Sequence, residues 1–242
     1  MSISVDINFA AGCNRKYVMA EQLITKYRPK DFSEVVGNTA ALQALDNVIK
    51  SASRPHGYLF IGPPGSGKTT LAQLLVNTLA AKKRDFNAGE YSSIKEMKYI
   101  VSFAKSDFLR GAKGDLLIID EASNLRPKAW PLLLNLLEYP PKDCYVALCT
   151  TDPKTVPAAI VRRCFTVTLD GVGMAELRRY AAEIARLEQW SIPNDVLETI
   201  VRAADGRPGL VLTLLLQGHA AQSVDELLQI IPPPELLGYK LS

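Results

Sequence analysis

Eight residues, Gly62-Pro63-Pro64-Gly65-Ser66-Gly67-Lys68-Thr69, stand between a short apolar run and a segment of helical apolar period. They match the pattern GxxxxGK[ST] in full. Glycines at these positions let backbone N–H groups converge on phosphate oxygens, and the helix that follows presents its positive end to them. Lys68 has the reach for β and γ phosphates, and the Thr69 hydroxyl can ligate a magnesium ion. The chemistry predicted is therefore binding of a nucleoside triphosphate, read as ATP with Mg2+, along Gly62 to Thr69 and on to Thr70.

A second constellation lies at Asp120-Glu121, directly after the apolar residues Leu116-Leu117-Ile118-Ile119. Four apolar residues without alternation suit a fully buried parallel strand, and open α/β sheets gather ligand chemistry at the carboxyl ends of such strands. There Asp120 would hold magnesium, directly or through water, and Glu121 would polarise the water that attacks the γ phosphate. An Asp-Glu pair standing alone reads as an acidic cap or turn; the phosphate loop upstream changes that preference. Thr150 and Thr151 close the next apolar run, where a hydroxyl can orient the same water or serve only β propensity. Arg162 and Arg163 follow a short helical stretch. They read either as a solvated surface pair or as a cation inserted into a neighbouring subunit's site, stabilising charge on the transferred phosphoryl group.

These residues need elements to position them. Gly57 to Ile61 reads as a strand, and Leu71, Leu74, Leu75 and Leu79 mark the amphipathic helix after the loop. Upstream, Thr39 to Ala52 reads as a helix with Thr39 as its cap. Further strands are expected over 85–88, 115–121, 144–151 and 165–169, with helices over 94–104, 130–137 and 158–161. Alternation of this kind predicts a doubly wound α/β domain with a mainly parallel sheet. Beyond Asp170 the pattern becomes helical over 174–187, 192–204 and 208–221. VDELLQII then reads as a further helix before the triple proline at 232–234.

Composition bounds the remainder. A chain of 242 residues with 48% apolar content fills one large domain, or one large and one small. Charged residues at 22%, with 15 glycines and 15 prolines, exclude a disordered or collagen-like chain. A net charge of +3 does not by itself indicate a nucleic-acid partner. Cys13, Cys144, Cys149 and Cys164 include no CxxC pair, which points to reduced thiols, Cys144 and Cys149 among them as core residues. The N-terminus lacks a basic segment followed by an apolar one, and no apolar run approaches the ~18 residues a bilayer requires. A cytoplasmic, soluble protein without a membrane partner is expected.

Six segments carry a family resemblance: KYRPKDFSEVVGN from Lys26, Phe86-Asn87-Ala88, LLIIDEAS, LLNLLEYPP, TTDPKTVPAAIVRRC and ADGRPGLVLTLLLQ. With the phosphate loop, they resemble the AAA+ ATPases over roughly residues 22–220. Within these the similarity is to the clamp-loader branch, bacterial DNA polymerase III gamma/tau and replication factor C small subunits. The resemblance implies that Tyr27, Arg28 and Pro29 lie near the adenine, with Val36 close behind. It also implies that Thr151 takes the sensor 1 position and Arg163 that of the trans-acting arginine finger, next to a matching Cys164.

Departures from the family pattern are informative. Arg162 replaces a serine before the finger, and Gly209 falls where the lid's sensor 2 arginine is usual. Arg207 is the available substitute; otherwise the lid responds only weakly to the γ phosphate. Residues 80–93 hold no cysteine, so the four-cysteine zinc module of many gamma/tau proteins is not expected. Only residues 222–242 follow the lid, which predicts assembly without a collar domain.

The organisation expected is an arm over 1–21, an ATPase domain over 22–170, a helical lid over 171–221 and a C-terminal helix and tail over 222–242. ATP would sit between the two domains and against Arg163 of the next chain. The implied partners are primer-template or other duplex DNA, identical or related subunits, and a sliding clamp. Lys95, Lys98, Lys105, Arg110 and Lys113 are candidate backbone contacts whose other reading is surface solubility. Two further readings stay open: a helicase-loader or transposition-type AAA+ regulator, and an ATP-bound structural or adaptor subunit that hydrolyses slowly.

Overall fold

The computed structural model describes residues 23–79, 82–88, 98, 102 and 115–232. They divide into two compact units, with the divisions falling between Arg28 and Pro29 and between Gly171 and Val172.

The α/β unit is built on five strands: β1 (Gly57–Ile61), β2 (Lys82–Asn87), β3 (Asp115–Asp120), β4 (Cys144–Thr150) and β5 (Cys164–Thr168). Their order is β2-β3-β4-β1-β5, and every pairing is parallel. Side chains alternate across a strand, so an all-apolar strand implies cover on both faces. On one face Leu59, Leu117, Ile119, Val146 and Leu148 pack with Leu133 and Leu136 of α3 (Trp130–Glu138). On the other, Tyr58, Phe60, Leu116, Ile118, Ala147 and Cys149 meet Leu45 and Ile49 of α1 (Thr39–Lys50) and Leu71 and Leu75 of α2 (Lys68–Thr78). The result is the expected three-layer α/β architecture, here with a sheet parallel throughout.

Two local readings change. The second strand starts at Lys82, three residues before the expected 85. Among the described strands it is an edge strand paired only with β3, and Lys82-Lys83-Arg84 hides it from an apolar pattern. Thr39 is the first residue of α1 and not its cap, because Asn38 occupies that position in the left-handed region at φ 56°. The Asn38 side chain is used elsewhere: its Nδ2 donates to the Asp170 carbonyl at 3.1 Å, and the Asp170 N–H donates to its Oδ1 at 2.8 Å. This clasp fixes the chain just beyond β5.

The helical unit contains α5 (Met174–Leu187), α6 (Asn194–Ala204), α7 (Pro208–Gly218) and α8 (Val224–Ile230), preceded by the short α4 (Ala158–Val161) of the other unit. Leu177, Ala181, Ile184 and Ala185 form the buried stripe of α5, spaced i, i+4, i+7, i+8. α5, α6 and α7 pack mutually, and α8 lies against α6 and α7. Thus residues 224–230, expected as a helix beyond the lid, are part of the helical unit. So is the segment before Pro29: Lys26 Nζ and Tyr27 Oη both donate to Glu188 Oε1, at 2.6 and 2.5 Å. Burial and the Glu188 charge push the Tyr27 phenol up, while the two donors hold Glu188 below the usual carboxylate range, Lys26 first. No described helix is long and apolar enough to cross a membrane.

Gly57, at the start of β1, has no room for a side chain. A Cβ there would sit 2.8 Å from Cys164 Sγ, 2.8 Å from Leu137 Cδ2 and 2.9 Å from the Arg163 carbonyl. We expect Gly57→Ala to destabilise by about 1–3 kcal/mol, the usual cost of overpacking. Urea unfolding checks this, and an unchanged midpoint would mean that Leu137 and Cys164 move aside freely.

Candidate functional site

Strand direction assembles the site. In a parallel sheet all carboxyl ends lie on one side, so the loop after β1, Asp120 at the end of β3 and Thr150 at the end of β4 fall on adjacent strands. The Gly62 N–H donates to the Thr150 carbonyl at 3.3 Å, extending the sheet's pairing into the loop. Gly62 itself has no room for a side chain, since a Cβ would meet Ser66 Oγ at 2.7 Å and the Leu169 carbonyl at 2.9 Å. Gly65 and Gly67 adopt φ of 78° and 100°, conformations that other residues reach only with strain. Pro63, Pro64 and Gly65 are exposed at the loop's crest, and Thr70 is half-buried in the first turn of α2.

Lys68 is 8% exposed, and its ammonium donates to the Gly62 carbonyl at 2.9 Å and the Pro63 carbonyl at 2.8 Å. Burial lowers its pKa from the ordinary lysine value, against the opposing pull of Cys149, Asp120 and Glu121. Beside it, Ser66 Oγ is buried with no hydrogen-bond partner. An orphaned buried hydroxyl and a cation held only by carbonyl oxygens, at a helix N-terminus, suit a bound phosphate: its oxygens would offset the desolvation of both. The Thr69 hydroxyl donates to Asp120 Oδ2 at 2.6 Å, so two hard oxygen donors are already adjacent where a magnesium ion would need them.

Glu121 leaves the strand in the left-handed region, φ 51° and ψ 43°, and its N–H donates to Asp120 Oδ1 at 2.9 Å. Asn124 Nδ2 donates to Glu121 Oε2 at 3.1 Å, a supporting contact that the sequence reading missed. The three-residue spacing within a tight turn was its only signal. Thr150 is fully buried, with its hydroxyl committed to the Asp152 backbone at 3.0 and 3.1 Å. Thr151 follows it, exposed, at the same end of the sheet.

Other expected site residues lie apart. Arg163 immediately precedes β5, alongside Gly57 at the start of β1. The five residues of β1 separate that end from the phosphate loop by roughly 16 Å at ~3.3 Å per residue. The segment expected around the adenine straddles the division, with Tyr27 and Arg28 in the helical unit and Pro29 and Val36 in the α/β unit. Arg207 belongs to the helical unit, 5% exposed at the N-cap of α7, its Nε donating to the Ala204 carbonyl at 3.1 Å. Of the lysines and arginines proposed as DNA contacts, Lys98 is helical and exposed, while Lys95, Lys105, Arg110 and Lys113 lie outside the described residues, as does Cys13.

Comparison with known proteins agrees with this geometry. Residues 58–170 match the model of the ATPase family associated with various cellular activities (AAA). The chain carries an AAA+ ATPase domain, an ATP-hydrolysing nucleotide-binding module. Among sequence relatives, the replication factor C subunit 4 of Encephalitozoon cuniculi is 26% identical, over 88% of this chain and 70% of that protein. DNA polymerase III subunit tau of Bacillus subtilis is 30% identical over 81% of this chain, which spans only 39% of that protein's length. The RuvB Holliday junction branch migration motor of Thermotoga maritima shares the fold, with a TM-score of 0.69 at 22% identity, covering 84% of this chain and 72% of the motor. The domain is thus related in sequence to a replication factor C subunit and a DNA polymerase III tau subunit, and in fold to a RuvB motor.

Lys68→Met keeps the aliphatic stem and removes the charge. Hydrogen bonds to charged groups contribute about 1.5–3 kcal/mol, so ATP affinity should fall by roughly one to two orders of magnitude. Isothermal calorimetry reads the affinity and circular dichroism the intact fold; undiminished binding would exclude this loop as the phosphate site.

Proposed function

We propose that this chain is an ATP-hydrolysing subunit of an oligomeric DNA-remodelling assembly, in which ATP held at the Lys68 loop of one subunit is completed by Arg163 of the next. The observation that carries the reading is the position of Arg163, at the opposite end of the parallel sheet from its own phosphate loop. An arginine there serves a different molecule's phosphates more readily than its own.

In this reading the loop amides and Lys68 bind the β and γ phosphates, and Thr69 and Asp120 would hold magnesium, which when bound neutralises phosphate charge. Glu121 orients and polarises the attacking water, with Asn124 steadying its carboxylate. Thr151, exposed beside Thr150, is assigned the neighbouring hydroxyl position at the γ phosphate, and Arg163 stabilises the charge that develops on the transferred group. The segment containing Tyr27, Arg28, Pro29 and Val36 is assigned to the adenine on resemblance. Arg207, buried with its Nε on Ala204, is given no step.

Loading of a sliding clamp onto primer-template DNA is the finer task that the replication factor C and tau relatives support. A helicase-loader or transposition-type regulator is the second reading. The fold is shared by a Holliday junction branch migration motor, and this chain spans only 39% of the tau protein's length. Native mass spectrometry with an ATP analogue, with and without primer-template DNA, separates them: a closed ring whose ATPase responds to a clamp supports loading, and a growing filament supports the regulator.

Glu121→Gln should lower kcat by about 10²–10⁴-fold while ATP still binds, the usual contribution of a positioned general base. Comparable loss of binding and turnover would instead make Glu121 structural. Arg163→Ala should lower kcat by about 10²–10³-fold, the cost of removing one charge-stabilising donor. Mixed with Lys68→Met subunits it should recover part of that activity, because each variant supplies what the other lacks. If mass spectrometry shows mixed oligomers and ATPase assays show no recovery, Arg163 does not act in trans.

A further inference from the structure

Arg163 is not a free side chain in the subunit by itself. Its Nη1 donates to the Ala159 carbonyl at 3.0 Å, one turn back on α4, and its Nη2 donates to Glu138 Oε1. Arg162, its equally basic neighbour, is exposed and makes no side-chain hydrogen bond or ion pair with a described residue. The pairing therefore belongs to position 163 and is not a general property of that surface.

Glu138 is an odd choice for the helix that carries it. It is the last residue of α3, whose final turn contains no basic residue. A carboxylate there faces the negative end of the helix dipole, an unfavourable placement that usually selects lysine or arginine. Helix stability does not explain the residue, whereas the guanidinium opposite does. Two rigid pieces hold the pair in register. Pro140-Pro141 follow Glu138 after a single residue, and the Arg163 carbonyl lies close against Gly57, 2.9 Å from where a Cβ on that glycine would sit. What can move is the guanidinium.

The geometry points to Glu138 as a positioning residue that holds Arg163 in cis and surrenders it only to the triphosphate of a neighbouring subunit. This rests on the reading of Arg163 as a trans-acting group. A guanidinium fork accepts carboxylate and phosphate oxygens in the same planar manner, so the Glu138 carboxylate stands where a phosphate would later bind. The side chains of the pair remain 36% and 31% exposed, and ion pairs this open contribute about 0–1 kcal/mol. Such a contact is strong enough to bias the free subunit and weak enough to exchange. A terminal γ phosphate competes with the carboxylate through its extra charge, and a neighbour holding ADP lacks that group. Glu138 thereby makes the subunit contact sensitive to which nucleotide the neighbour carries. Tyr139, next in sequence and 72% exposed, places an aromatic surface beside the exchange point.

The test is ATPase activity of the full chain as a function of protein concentration, for wild type, Glu138→Gln, Arg163→Ala and the double variant. Glu138→Gln removes the charge and keeps the shape. Its half-maximal protein concentration should fall about two- to fivefold, the equivalent of a surface ion pair, with kcat at saturating protein within twofold of wild type. Native mass spectrometry should show it assembling with ADP at concentrations where wild type requires an ATP analogue. The double variant should behave as Arg163→Ala alone. Glu138→Asp, which retracts the carboxylate by one methylene, should give an intermediate shift and serves if Glu138→Gln melts early. An unchanged or higher midpoint, or a lower kcat at saturation, overturns the holding role while leaving the trans role of Arg163 standing if Arg163→Ala is still inactive. An Arg163→Ala protein with wild-type activity and assembly overturns both.

Discussion

Lys68 carries a formal charge into a place that water scarcely reaches, and the surrounding loop is shaped by that fact. Burial lowers the pKa of the ammonium, while Cys149, Asp120 and Glu121 oppose that shift, and two loop carbonyls accept its hydrogen bonds. To bring the Gly62 and Pro63 carbonyls onto one nitrogen, the chain must turn back on itself. It does so through left-handed backbone at Gly65 and Gly67 and through the bare Cα of Gly62 pressed against Ser66 and Leu169. The loop thus exists in a closed form satisfied by its own lysine. In the proposed reading phosphate oxygens replace those carbonyls as stronger, charged acceptors, so such a loop gains most from an anion of high charge.

The parallel sheet then decides which groups can cooperate. Everything that follows the end of a strand gathers around Lys68, and whatever precedes the start of a strand is kept a full strand length away. Asp120, Glu121 and Thr150 fall in the first class, Arg163 and Glu138 in the second. On the proposed trans reading of Arg163, the chain carries both halves of a charge-stabilised phosphoryl site at opposite ends of one sheet. Turnover under that proposal depends on association, and association on the state of the nucleotide.

Where the sequence was legible, one physical cause dominated. Strands buried on both faces must be apolar throughout, so β1, β3 and β4 could be read from GYLFI, LLII and CYVALCT, and the glycine-rich loop between a strand and a helix admits few other uses. Elements whose environment is one-sided were less visible. Strand β2, paired with β3 alone among the described strands, begins on Lys82-Lys83-Arg84, which carries no apolar pattern. Asn38 looked like part of a turn, with Thr39 as the cap, because its actual partner is the Asp170 backbone 132 residues away. The assignment of Tyr27 to the α/β domain followed sequence continuity, whereas Glu188 binds it to the helical unit. Charged partners such as Glu138 and Glu188 have no period, so pairing between distant segments leaves no trace in a pattern.

Asp120 and Glu121 show how adjacent carboxylates come to do different work. Continued strand geometry would simply place the second on the opposite face of the sheet, against α-helical cover. The left-handed turn at Glu121 prevents this: it costs a non-glycine residue of order 1–3 kcal/mol and swings the side chain out of the sheet's alternation. The same turn aims the Glu121 N–H at Asp120 Oδ1, while Thr69 occupies Oδ2, so Asp120 is held by both oxygens. Glu121 keeps a carboxylate steadied, among the described residues, by Asn124 alone and exposed at the carboxyl end of the sheet. One carboxylate is thereby fixed beside the Thr69 hydroxyl and the other is left exposed. In the proposed reaction that division is the difference between the residue that holds a cation and the residue that activates the nucleophile, and the strained backbone at Glu121 is what creates it.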